Sequence, residues 1–96
     1  MNLNKYIILL LVRNLDQGDG TSIAAIDHNF FRISVKTDID ELKIDNIKLH
    51  EIIEGLLKDG KIFKNRNNNY VIDASGESLL LKHSILKDKI KQLMTK

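Results

Sequence analysis

The chain has 96 residues, a formal charge of +2, 43% hydrophobic and 29% charged residues, and no cysteine, proline or tryptophan. That length makes a single domain, residues 1–96, with a small core; the composition is that of a globular chain, not a disordered one. Without cysteine there is no disulfide framework, no thiolate metal site and no cysteine nucleophile.

The first predicted helix covers residues 4–15 and contains an unbroken apolar run, YIILLLV, at 6–12. A membrane-spanning helix needs about 20 apolar residues. A signal peptide needs a longer apolar stretch and a small-residue cleavage site, whereas Arg13 and Asn14 follow here. The run therefore reads as a helix buried on most sides, in a core or between subunits, of a soluble cytoplasmic protein. Residues 16–20, DQGDG, form a loop, because aspartate and glycine supply turn geometry at low cost. Thr21 or Ser22 then caps a second helix over 23–30. Next, Phe31, Ile33 and Val35 alternate with Arg32, Ser34 and Lys36. That is the period of a half-buried strand, or else the end of the second helix and a turn.

Thr37 and Asp40 fit the S/T-x-x-D/E pattern of a helix start. Ile39, Leu42, Leu49, Ile52, Ile53, Leu56 and Leu57 then recur at helical spacing. They give either one helix over 38–59 or a helix broken near Asp45 and Asn46, since Ile44 and Ile47 lie off the stripe. Gly60 ends it, being free to adopt the left-handed conformation. Two short strands, 61–64 and 70–73, flank the polar loop 65–69 and make a β-hairpin. Asp73 caps a last helix over 74–94. On it Leu79, His83, Leu86, Ile90 and Leu93 are spaced 4, 3, 4, 3, as on a coiled-coil seam. That seam packs either on the chain's own first helix or, with Tyr6 and Leu10, in a homodimer interface. The fold class is mainly α with a small β-hairpin.

Charge is unevenly spread. Residues 1–57 carry six Lys and Arg against nine Asp and Glu; residues 58–96 carry nine against four. A basic half beside an acidic half points to an anionic partner, and nucleic acid is the usual one. The three histidines, His28, His50 and His83, fall on three different elements, and no pairing of the H-x-x-x-H kind exists. Nothing places two carboxylates across a cleft, so the sequence points away from an enzyme and calls for no cofactor and no metal.

The order of three helices, a hairpin and a further helix resembles a winged helix-turn-helix domain. Leu56, Gly60 and Ile62 look like the family's L-x-x-x-G-x-I at the start of the wing. Tyr70, Ile72, Asp73, Gly76, Leu79 and Leu80 look like Y-x-L-T-x-x-G-x-x-L-L at its end, with aspartate in place of threonine. The resemblance is specific over residues 52–80; the link 31–46 is longer than the family's usual one. It implies residues 4–73 as core and wing, 74–94 as an added C-terminal helix serving dimerisation, and double-stranded DNA as partner. The third helix would enter the major groove and the wing would follow the backbone. In this sequence the wing offers Lys61, Lys64 and Arg66, with Asn65, Asn67, Asn68 and Asn69 as amide donors to phosphates. The third helix offers Lys43, Asn46, Lys48 and His50, amid Asp38, Asp40, Glu41, Asp45, Glu51 and Glu54. A transcriptional regulator, or a DNA-segregation adaptor of a plasmid or virus, fits that reading. The alternative is a protein-interaction module using its acidic third helix without DNA. A further reading is a structural subunit that docks 6–12 on another chain.

Overall fold

A computed structural model describes residues 2–83 and Asp88. Helix α1 (Leu3–Asn14) is held at its start by two acceptors. Asn2 Oδ1 takes the Lys5 N–H at 2.9 Å, and Glu41, far along the chain, takes the Leu3 N–H at 3.0 Å. Tyr6, Ile7, Ile8, Leu9 and Val12 are at most 1% exposed. α1 is the central post of the domain, and every later helix and the hairpin pack on it. The apolar run finds its cover within the chain. Tyr6, placed at a dimer surface by the sequence pattern, has no exposed area for a second copy; Leu10 is half-buried. No described helix is long and apolar enough to cross a membrane.

Helix α2 (Ile23–Thr37) starts at Ser22, whose hydroxyl accepts the Ala25 N–H. It runs seven residues beyond the expected end at Phe30. The alternation after Phe30 does not become a strand. Burial instead follows the helical i, i+4 series Ile26, Phe30 and Ser34, which leaves Phe31 and Val35 in solvent. Thr37 does not start the next helix either: its hydroxyl donates back to Ile33 O at 2.8 Å. Asp38 closes α2 in the left-handed region (φ 52°), a conformation aspartate tolerates better than most residues. A single 3₁₀ turn, Asp40–Leu42, then buries Leu42.

Helix α3 (Asn46–Lys58) begins where the off-stripe Ile44 and Ile47 suggested a break, with Asp45 Oδ1 accepting the Lys48 N–H at 2.8 Å. Leu49, Ile53 and Leu56 form its buried stripe. Its end is a Schellman turn: the Lys61 N–H reaches Leu56 O, the Gly60 N–H reaches Leu57 O, and Gly60 has φ 73°. Strands β1 (Ile62–Lys64) and β2 (Tyr70–Ile72) pair antiparallel with Ile62 opposite Ile72. Thr21 exchanges two 2.8 Å backbone bonds with Tyr70 and so ties the α1–α2 connection to the hairpin. Helix α4 (Ala74–Lys82) is capped by Asp73, as expected, and ends with His83 at its C-cap. The expected helix over 74–94 is therefore described only to Lys82. Leu79 and His83 are half-buried, and Leu86, Ile90 and Leu93 lie outside the described residues. The architecture is mainly helical, with four helices and one two-stranded hairpin among the described residues.

Candidate nucleic-acid interface

The hairpin loop is rigid by construction, and asparagine makes it so. Asn65 Oδ1 accepts the backbone N–H of Asn67 and of Asn69, at 2.9 and 3.1 Å. Asn68 takes the left-handed conformation (φ 61°) at the tip. The side-chain amides of Asn65 and Asn69 donate to the backbone carbonyl of Asp19, at 2.9 and 2.8 Å. The Asn67 amide donates to both Asp19 carboxylate oxygens, at 3.0 and 2.9 Å. The α1–α2 loop is shaped to receive them: Asp16 Oδ1 accepts the Gly18 and Gly20 N–H groups. Gly20, at φ 78°, approaches so closely that a Cβ would stand 2.9 Å from Asn69 Cβ and 3.0 Å from Tyr70 O.

This revises the part assigned to the asparagines. The amides of Asn65, Asn67 and Asn69 are engaged within the chain, and among the described residues only Asn68 of the four loop asparagines leaves its side chain outside that network. Nothing in the local sequence shows the contact, because Asp19 lies 46 to 50 residues before its partners. The cations fare differently. Lys64 and Arg66 are exposed on the same hairpin, and Lys61 is half-buried where α3 turns into β1. The Lys64 Nζ stands 5.4 Å from the centre of the Tyr70 ring, close enough for a cation–π attraction.

The residues assigned to the third helix divide. Asn46 and Lys48 lie in the exposed first turn of α3; Lys48 Nζ is 3.9 Å from Glu51, a surface pair of little energetic weight. Lys43 precedes the helix, and its ammonium lies 2.7 Å from Asp38 and 3.2 Å from Asp40. The Lys43 hydrogen bond holds the Asp38 carboxyl below its ordinary value, and Asp38 chiefly raises the Lys43 ammonium in return. Lys43 is thus neutralised within the chain. His50, on α3, bonds Asp27 of α2 at 2.9 Å. Ile47, which lies off the apolar stripe in the sequence, is 73% exposed between Asn46 and Lys48.

Comparison with protein-family models, with curated proteins and with solved structures gives no match.

Proposed function

We infer that the chain is a small winged helix-turn-helix protein that binds double-stranded DNA in the cytoplasm, as a transcriptional regulator or a DNA-segregation adaptor. The observation that carries this reading is the hairpin. It presents Lys64 and Arg66, with Lys61 at its base, and three asparagines lock its loop onto Asp19, so little backbone entropy is lost when the loop meets phosphates. Such contacts give affinity without sequence information. The start of α3 at Asn46 supports a reading helix, since the first turn is the part that meets base edges. Asparagine pairs with adenine, and an exposed isoleucine suits a thymine methyl.

A gel shift over a salt series tests this. Each phosphate contact contributes about 0.9 to the slope of log affinity against log salt. Lys64→Ala with Arg66→Ala should therefore lower the slope by about 2 and weaken binding to all sequences alike. Unchanged affinity in the double variant overturns the wing reading.

A second reading, a protein-interaction module with no DNA partner, is favoured by one observation: Lys43 is spent on Asp38 and Asp40, leaving the approach to α3 acidic. Absence of any DNA binding at about 50 mM salt, where non-specific binders hold on, selects it.

A further inference from the structure

Along the outer side of α2, Phe31 (68% exposed) and Val35 (64% exposed) form an apolar ridge with a groove on each flank. Both residues line both grooves. The first groove has Leu11 and Ile33 as its apolar lining and Arg32 and Lys36 as its charges. The second groove, of about 510 Å³, is lined also by Ser34 and Ile44, with Asp38, Asp45 and Lys43 as its charges. The ridge thus separates a basic side from an acidic one. Among the described residues neither Arg32 nor Lys36 joins an ion pair. Lys43 shares its one charge between Asp38 and Asp40, and Asp45 is engaged only as the cap of α3, so the acidic side keeps a net negative charge.

We propose that this face binds a second copy of the chain through a two-fold interface. A two-fold contact requires a surface to complement itself. This one does. Place the axis between the ridge and the second groove and along α2, so that the two α2 helices run parallel. Each ridge then enters the partner's second groove. The Arg32 and Lys36 side of each copy then faces the Asp38 and Asp45 side of the other. Apolar side chains fill apolar grooves at the centre and opposite charges meet at the rim, the usual anatomy of a stable interface. A partner of uniform charge would meet repulsion on one flank. The inference is independent of DNA binding by the hairpin. It also moves self-association away from Tyr6, which the chain covers by itself.

The test is sedimentation of the full chain with three sets of variants. Wild type should be dimeric. Phe31→Ser with Val35→Ser should raise the dissociation constant about 100-fold or more, as loss of central contacts does, and separately Arg32→Glu with Lys36→Glu should raise it about 10-fold or more by setting like charges against each other. All four side chains are exposed in the single chain, so the thermal melt of the monomer should be retained. The chain has no cysteine, so a disulfide can report the contact directly. Equimolar Val35→Cys and Ile44→Cys chains should form a mixed disulfide faster than Val35→Cys does with the exposed control Leu81→Cys. A monomeric wild type overturns the proposal, and so does a dimer that survives both double variants. Should those variants fail to fold, cross-linking no faster than the control overturns it instead.

Discussion

Replacing Gly76 by alanine sets two magnitudes of opposite sign against each other. Gly76 sits in the first turn of α4, and glycine there is intrinsically worse than alanine by about 1 kcal/mol. Helix propensity alone therefore calls for a more stable protein, with Tm raised by roughly 4–8 °C for a chain of this size. The packing calls for the reverse. A Cβ on Gly76 would fall on the Lys61 carbonyl oxygen and stand 2.9 Å from Ile72 Cγ1. That oxygen cannot swing aside cheaply. It accepts the Asp73 N–H at 2.9 Å, and the Lys61 N–H is itself fixed to Leu56 O in the Schellman turn. Relief comes only if α4 lifts off the start of the hairpin. Overpacking of this kind costs about 1–3 kcal/mol, and the strained Asp73 bond adds about 1 kcal/mol. Less the propensity gain, the net loss is about 1–3 kcal/mol, a fall in Tm of roughly 5–20 °C. Thermal melts followed by circular dichroism, checked by urea titration, measure it. A Gly76→Ala protein that melts at or above the wild-type temperature refutes the close approach of α4 to Lys61.

Two further outcomes follow from single groups. The Tyr6 hydroxyl is buried with no hydrogen-bond partner among the described residues, and burial, the main cause, holds its pKa above the ordinary 10.0. Tyr6→Phe should thus be more stable by about 1 kcal/mol. It should also lose the alkaline weakening that arises above pH 10, where the unfolded tyrosine ionises before the folded one; a less stable Tyr6→Phe refutes this. In acid, Asp73 is held below its ordinary 3.8 chiefly by the Ser75 N–H, and Asp38 by the Lys43 hydrogen bond. Both carboxylates ionise more readily folded than unfolded. Their contribution is complete above about pH 3.8 and is lost as pH falls through the lower folded values. Asp73→Asn keeps a capping oxygen but does not titrate, so stability measured by urea titration from pH 5 downward should fall less steeply. An unchanged acid slope refutes the linkage.

Elements set by neighbours within a few residues were legible before any fold was known. Ser22 and Asp73 cap helices because a side-chain oxygen reaches an N–H two or three residues on; Asp45 caps α3 in the place expected of Thr37. Gly60 stops α3 because only the local backbone decides where a left-handed residue is cheap. The hairpin was readable from its period and its asparagines. The exposure of Lys64 and Arg66 was readable too, since charge on a short hairpin has few places to hide.

The sequence by itself therefore determined a cysteine-free, mainly helical domain, two of its helix caps, its hairpin and the basic character of its second half. Only the tertiary structure decided how far α2 runs, because Phe31, Ile33 and Val35 satisfy a strand period and a helix period alike until Phe30 and Ser34 find the core. Only the structure showed that the run at 6–12 is covered by its own chain, since an apolar side chain records that it wants burial and not which surface supplies it. The same holds for charge and amide groups. Lys43 and the asparagines read as free donors, yet Asp38, Asp40 and Asp19 take them up. Electrostatic and hydrogen-bonding partners are chosen by proximity in space, and for Asp19 the partners stand about half the chain away.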